Sequence, residues 1–474
     1  MGIRMTELRY EKLADDVAGL IASGILRAGE RLPSVRRLAQ EQRVSISTAV
    51  QAFRQLEMRG LVEARPQSGF FVRARPEPLA ATGGRNTPDE PVAVDLNQRL
   101  MRVLQASMKP GVAPLGVALP ASSLLPVAAL NRRYANVARR FPNLLAGGNY
   151  IDMNDPQLVR QIVRRSLAWG GPLDSKEIVI TNSCTEALCL CLRTVTRPGD
   201  TVAVESPAYY LMLQLLESLG LKALEIPTEP QTGMSVAALD LATRDGKVAA
   251  VLLVPNASNP LGSVMPDESK RKLAELMAAR NIPVIEDDIH GDLCFDARRP
   301  WPIKAFDTTS NVMLCASLSK CLSPSLRIGF AAAGRFHAAV TLQRTLSSGG
   351  TNPITQRVLA EVFESGAYER QVRGLKRHFQ NQVEQMMAAV TRYFPAGTRM
   401  ARPMGGFVLW VELPGKIDTA ALFPRAIAEG IAFTPGDLFS ASGQYRNCLR
   451  LNCGNPWSDA IEAAVKRLGA LAAG

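Results

Sequence analysis

Residues 312–327 read VMLCASLSKCLSPSLR. The apolar run Val312–Ala316 is too short for a helix and predicts a buried strand. It opens at its carboxyl end onto Ser317, Ser319 and Lys320, with Arg327 a few residues further on. Similar runs lie upstream and downstream at Ile178–Thr181, Thr201–Val204, Val248–Val254, Val284–Glu286 and Ile328–Ala332, separated by helix-length segments. That alternation predicts an α/β unit with a mostly parallel, seven-stranded sheet covered by helices on both faces. In such sheets ligands sit beyond the carboxyl ends of the strands. The unusual sequences stand at those ends: Asn259-Pro260-Leu261-Gly262, Glu286-Asp287-Asp288-Ile289-His290 and Ser317-Leu318-Ser319-Lys320.

A lysine, an acidic residue and hydroxyls on successive strand ends suit one coenzyme in particular. Pyridoxal 5'-phosphate (PLP) needs a lysine for its Schiff base, hydroxyls and an arginine for its phosphate, and a carboxylate for its pyridine nitrogen. Lys320 supplies the first, Ser317, Ser319 and Arg327 the second, and Asp287 the third. Each feature alone is weak, because a lysine near serines is usually a surface lysine. Their order along the strands gives the pattern its force.

Before this unit lies a shorter one. Residues 76–94, PEPLAATGGRNTPDEPVAV, are crowded with Pro, Gly and Ala and show no apolar period. They read as a tether. The expected division is a head at 1–75, a linker at 76–112 that contains a helix over Asn97–Met108, and a body at 113–474. In the head, Tyr10, Leu13, Val17, Leu20 and Ile21 recur at helical spacing and predict a helix over 7–23. Ser34 caps a second helix that runs to Glu41. Ser45 caps a third, which buries Ala49, Ala52, Phe53 and Leu56 and stops at Gly60. Leu61–Ala64 and Phe70–Val72, joined by a turn over residues 65–69, predict a β-hairpin. Three helices followed by a hairpin describe a winged helix-turn-helix. Residues 1–75 carry 13 Lys or Arg against 8 Asp or Glu, a net +5 of the whole chain's +12. A basic reader of duplex DNA is expected, with Ser45-Ile46-Ser47-Thr48 opening the recognition helix and Arg36 and Arg37 able to reach the phosphate backbone.

The rest of the composition narrows the field. The chain has 474 residues, 47% of them apolar and 21% charged, which excludes whole-chain disorder. No run approaches a membrane span. The N-terminal stretch MGIRMTELRYEKLADD lacks the apolar core of a signal peptide, so a cytoplasmic protein is expected. Eight cysteines, none in a C-x-x-C pair, and three histidines give no reason to expect a metal site. The cysteines read as reduced and mostly buried.

The run IASGILRAGERLPSVRRLAQEQRVSISTAVQAFRQLEMRGLVEARPQSGFFV resembles the N-terminal domain of GntR-type bacterial regulators. The resemblance implies DNA contacts from Arg36, Ser47, Thr48 and Gly69. It also departs from the family at Ile46, where arginine is frequent, so that arginine's base contact is either missing or replaced by apolar contact with a thymine methyl. Residues from about 116 to 454 resemble a fold-type I aminotransferase of the aspartate aminotransferase class. That resemblance makes Lys320 the catalytic Schiff-base lysine. It gives the phosphate to Arg327, Ser317, Ser319 and the turn Ser183-Cys184-Thr185, the ring hydroxyl to Asn259, the ring nitrogen to Asp287 and the ring face to Tyr209. Arg450, in L-R-L-N, takes the place of the arginine that forks onto a substrate's α-carboxylate. Three positions depart from the pattern: His290 stands for the usual tyrosine beside the ring hydroxyl, Asn154 for a glycine, and Cys184 brings a thiol to the phosphate turn.

Head, linker and body in this order resemble the MocR subfamily of regulators. The resemblance implies a homodimer that binds a double-stranded DNA operator and responds to a small-molecule effector, an amino acid or amine, or to PLP itself. An aminotransferase with an accessory DNA-binding head is the competing reading, because Lys320, Asp287 and Arg450 are all present. A third reading, a binding protein with a dead pocket, is disfavoured by the same residues.

Overall fold

The computed structural model describes residues 9–22, 25–58, 60–65, 68–73, 79–81, 90–146, 154–415 and 417–474. The chain separates into two compact units, residues 1–78 with 383–392 and residues 79–382 with 393–474.

The head contains α1 (Arg9–Ala22), α2 (Val35–Glu41), α3 (Ile46–Met58), β1 (Val62–Arg65) and β2 (Gly69–Val72). Its caps are the expected ones. Ser34 Oγ accepts from the Arg37 amide at 3.3 Å, and Ser45 Oγ from the Thr48 amide at 3.1 Å. Each bond satisfies a first-turn N–H that has no acceptor inside its helix. Leu13, Ala14 and Val17 of α1 meet Leu38, Ala52, Phe53, Leu56, Val62 and Val72 in one core. Phe53 stacks on Phe70 of the hairpin at 4.4 Å between ring centroids. The wing is therefore anchored by apolar burial, which for a ring this size stabilises by about 1.5–3 kcal/mol. The hairpin is antiparallel, with Val62 opposite Val72 and Arg65 opposite Gly69. Of the expected elements, positions 7, 8 and 23 of the first helix and 66 and 67 of the turn lie outside the described residues.

The second unit begins earlier than the expected linker allows. Leu79–Ala80 (β3) and Val92–Ala93 (β4) are paired strands, and Asn97–Ser107 (α4) has Leu100 fully buried. Composition made this stretch look like a tether, but its few apolar residues find edges of two sheets. Residues 76–78 and 82–89 of the linker, and 74 and 75 at the end of the head, lie outside the described residues.

After α5 (Val127–Arg140) and α6 (Pro156–Ser166) come β5 (Ile178–Thr181), α7 (Cys184–Val195), β6 (Thr201–Ser206), α8 (Tyr210–Ser218), β7 (Lys222–Glu229), β8 (Gly233–Met234), β9 (Val248–Leu253), β10 (Val284–Asp287), β11 (Val312–Ser317) and β12 (Gly329–Ala332). The sheet order is β4-β7-β6-β9-β10-β11-β12-β5, with β8 paired to β7. It has nine strands rather than seven, because two-residue β4 and β8 join the expected seven at β7. Among those seven, β12 alone runs against its neighbours. The strand β7 breaks the apolar pattern with Lys222, Glu225 and Pro227, which is why its run does not stand out in the sequence. Side-chain alternation divides the strands between two cores: Ala250, Leu252 and Val254 face one, and Val251 and Leu253 the other. A second sheet, in the order β15 (Thr434–Pro435), β16 (Cys448–Asn452), β14 (Val408–Glu412), β13 (Arg399–Ala401), β3, carries Arg450 on its second strand. Among the described residues no helix is long and apolar enough to cross a membrane.

Candidate functional site

A cavity of about 180 Å³ opens where β5, β9, β10 and β11 end. Ser183, Cys184, Thr185, Tyr209, Asn259, Asp287, His290, Ser317, Ser319, Lys320 and Arg327 all line it, although 144 residues separate the first from the last. Parallel strands explain the convergence: each contributes the residues just past its carboxyl end, and all those ends lie on one side.

Part of the cavity lining comes from the start of α7. Its first-turn amides, those of Cys184 and Thr185, have no acceptor inside the helix, and the Ser183 hydroxyl caps the Glu186 amide at 3.0 Å. Gly329 on β12 permits this arrangement, since a Cβ there would lie 2.4 Å from the Ser183 carbonyl carbon and 2.6 Å from the Cys184 nitrogen. Ser317 Oγ donates to Ser319 Oγ at 3.2 Å. Arg327 adopts a left-handed backbone (φ +51°) after the turn Pro324–Leu326, and its exposed guanidinium lines the cavity mouth.

Next to these amides lie the groups that carry the proton chemistry. Asp287 Oδ1 accepts from the Ile289 amide at 3.0 Å and from the Cys184 thiol at 3.3 Å. Burial raises the Asp287 carboxyl to about 6 against those two donors. The same burial, and the nearby carboxylate, hold the Cys184 thiol well above its ordinary range, so it stays a donor and not a thiolate. Lys320 donates to the Ala118 carbonyl at 2.7 Å, and burial with the Arg450 charge lowers its amine to about 8. His290 Nδ1 lies 3.2 Å from the Ala257 carbonyl, and its buried Nε2 has no hydrogen-bond partner among the described residues.

Arg450 sits just behind these groups. It is fully buried. One terminal nitrogen donates to Asn259 Oδ1 at 3.3 Å, and the other to the Gly116 carbonyl and to Thr434 Oγ1, the latter at 2.9 Å. Its Nε has no partner among the described residues, and none of these acceptors is a carboxylate. Asn154 lies outside the cavity and braces it: Nδ2 donates to the Ile178 carbonyl at 3.1 Å, while Oδ1 accepts from the Ile180 amide at 3.0 Å and from Arg344 at 2.9 Å. It has no positive φ, so its amide, not tolerance of a left-handed backbone, is what the position uses.

These residues fit PLP. An amine with a lowered pKa, a carboxylate with one oxygen outside its intrachain bonds, free helix amides and unpartnered buried nitrogens are the groups a pyridine aldehyde phosphate would engage. Sequence reasoning missed Gly116, Ala118, Thr434 and Gly329. Gly116 and Ala118 act through backbone carbonyls, which leave no residue-type signal.

In the head, Ser47 and Arg36 are exposed, Ile46 is 55% exposed, and Gly69 has φ +98° at the end of the wing. Thr48 Oγ1 is held by Ser45 Oγ at 2.8 Å. Arg37 is paired with Glu41 at 2.7 Å, which leaves Arg36 as the uncommitted cation of the two.

Comparison with known proteins matches residues 123–468 to the family model "Aminotransferase class I and II" and residues 9–72 to "Bacterial regulatory proteins, gntR family". Over 97% of its length the chain is 37% identical to the HTH-type transcriptional regulator YjiR of Escherichia coli (strain K12), covering 98% of that protein. It is 36% identical to YdcR of the same strain, a regulator of the same type, with 98% of each chain covered. Among solved structures, the multiple substrate aminotransferase of Thermococcus profundus is similar with a TM-score of 0.73 and 26% identity, over 79% of this chain and 94% of that one. LysN, the α-aminoadipate aminotransferase of Thermus thermophilus, complexed with N-(5'-phosphopyridoxyl)-L-leucine, is similar with a TM-score of 0.71 and 25% identity over the same shares.

Proposed function

Since the chain belongs to the aminotransferase class I and II family, carries a gntR-family head, and is similar over nearly its whole length to HTH-type transcriptional regulators, we propose that it is a cytoplasmic, PLP-binding transcriptional regulator whose operator affinity is set by an amino compound, or by PLP itself, held at Lys320. The observation that carries the reading is Arg450, a fully buried guanidinium with no carboxylate acceptor among the described residues, bonded to a residue that lines the Lys320 cavity. A buried cation lacking an opposite charge is costly, and a ligand carboxylate would relieve that cost with two parallel hydrogen bonds.

When bound, the cofactor supplies an aldehyde that condenses with amines and a ring that accepts electrons. The chain's own residues do the rest. Lys320 provides the amine. The α7 amides, Ser317, Ser319 and Arg327 hold phosphate, and Asp287, supported by Ile289 and Cys184, holds a proton on the ring nitrogen. Tyr209 covers a ring face, while Asn259 and His290 flank the hydroxyl.

Both cations of the site hold carbonyls of one segment, Ala118 on Lys320 and Gly116 on Arg450. An effector that engages both would take the two cations away from residues 116–118. It would then shift the chain toward whichever state binds it better, by its differential affinity for the two. In the head, Arg36 grips phosphate, Ser47 and Thr48 meet the major groove, and Gly69 lets the wing approach the backbone. A homodimer would place two such heads on paired half-sites.

The test couples two readouts. The chain loaded with PLP is screened spectrally against amines and amino acids, while its binding to duplexes selected from a randomised pool is followed. A ligand that changes both in the wild type and neither in Lys320→Ala is the expected result. Spectral change with no effect on DNA binding, and turnover with an oxo acid matching a dedicated transaminase, would instead make this an aminotransferase with an accessory DNA-binding head. The presence of Lys320 and Asp287 in one cavity, with Arg450 bonded to its Asn259, is what supports that second reading.

A further inference from the structure

Two side chains at neighbouring strand ends, Asn259 after β9 and His290 after β10, face the cavity with opposite hydrogen-bonding character. His290 Nδ1 lies 3.2 Å from the Ala257 carbonyl. A carbonyl only accepts, so Nδ1 carries the ring's hydrogen. The imidazole is 4% exposed and packs edge-on to Phe407 at 5.7 Å. Burial and the positive charges of Lys320 and Arg450 lower its pKa to about 3, against the bond to Ala257, so it stays neutral. Its Nε2 therefore presents a bare lone pair, buried and without a partner among the described residues. Asn259 is fixed the other way round. Its Oδ1 accepts from Arg450 at 3.3 Å, which leaves the Nδ2 hydrogens as what it offers the cavity.

One donor beside one acceptor is the complement of a hydroxyl that keeps its proton: the oxygen accepts from Asn259 and the O–H donates to His290. It is a poor match for an ionised ring oxygen, whose lone pairs would face the lone pair of Nε2 in a buried setting where such a mismatch goes unscreened. A tyrosine at position 290 would reverse this, because a phenol can donate to the ionised oxygen. We propose that the Asn259–His290 pair selects the un-ionised 3-hydroxyl form of bound PLP. The proposal rests on the reading that PLP lies with its hydroxyl between these two residues. The proton then sits on the ring oxygen and not on the nitrogen joined to Lys320, a shift of one proton with no change in total charge. An unprotonated nitrogen makes its carbon less electrophilic, so exchange with an incoming amine slows. His290 would thus be a positioning residue that favours sensing over turnover.

The experiment uses the full chain loaded with PLP. Borohydride reduction followed by peptide mass analysis reads whether a pyridoxyl group is fixed on Lys320. Absorbance reads which hydroxyl form is bound, and long-range nitrogen NMR of ¹⁵N-histidine protein reads the tautomer. With three histidines in the chain, at 290, 337 and 378, the resonances are few enough to assign. The expected result is a pyridoxyl-labelled Lys320, a dominant near-ultraviolet band at neutral pH, and Nδ1 of His290 protonated with Nε2 accepting. In His290→Tyr the dominant band moves to the visible. No label on Lys320 would overturn the cofactor-site reading itself and this proposal with it. A labelled Lys320 with a dominant visible band in the wild type, or with Nε2 of His290 protonated, would overturn this proposal alone. The NMR measurement is made on the wild type and stands even where the variant fails to fold.

Discussion

Lys320 can be tested by the pH dependence of cofactor capture. Burial first, then the nearby Arg450 charge, lower its amine from the ordinary 10.5 to about 8, and Asp287 opposes them. Only the neutral amine attacks an aldehyde. At pH 7 an amine with a pKa near 8 is neutral in about one molecule in ten, against about one in three thousand for an ordinary lysine, a gain of roughly 300-fold. The rate at which the cofactor-free chain captures PLP, followed by absorbance, is expected to rise with pH and level off near 8. Arg450→Met removes a like charge, so the inflection moves up and capture at pH 7 slows. Asp287→Asn removes the opposing attraction, so the inflection moves down. The linkage has a definite sign. The folded chain gives up this proton at lower pH than the unfolded chain, so the amine's cost to stability is full below about pH 8 and fades as pH rises toward 10.5. A wild-type inflection near 10.5, unmoved by Arg450→Met, would mean a solvated amine and would refute the reasoning.

Arg450→Met is also expected to abolish the response to carboxylated amines while amines without a carboxylate still act. By taking Arg450's hydrogens from Asn259 Oδ1 and Thr434 Oγ1, and leaving the Gly116 carbonyl with the Thr434 hydroxyl as its donor, it should lower stability by about 1–3 kcal/mol in chemical denaturation; an unchanged carboxylate preference would remove Arg450 from the effector site. Arg36→Ala should weaken DNA binding across sequences and reduce the salt slope by about one unit, and a slope equal to that of the wild type would argue against a phosphate contact. Gly329→Ala drives a methyl into the Ser183–Cys184 backbone, so a loss of about 1–3 kcal/mol is expected together with weaker PLP retention on dialysis; a variant that keeps both would show that this close approach is not needed.

Much of the site was legible because it is written locally. Ser317, Ser319 and Lys320 follow an apolar run directly, Asp287 ends another, and a parallel sheet sends such positions to one side whatever the packing details. The head was legible for a similar reason: the caps Ser34 and Ser45 and the helical spacing of Leu13 and Val17 are short-range signals. Where composition alone guided the reading it failed, as at Leu79–Ala80 and Val92–Ala93, whose strand character comes from the sheet edges they meet. The strand Lys222–Glu229 escaped notice because burial between neighbours, not an apolar run, makes it a strand. At Asn154 the residue type pointed to backbone freedom, whereas its amide spans Ile178 and Ile180.

The order of residues along the chain thus determined the class of fold, the coenzyme chemistry and the basic reader at the front. Only the folded arrangement decided what each side chain holds. Lys320 meets the Ala118 carbonyl across 202 positions, and Arg450 meets Asn259 across 191. The bond from His290 to Ala257 sets which of its nitrogens carries a hydrogen. The physical reason is range: periodicity and caps act over a few residues, while a buried charge's acceptor and a ring's tautomer depend on whichever distant backbone the packing brings within about 3 Å.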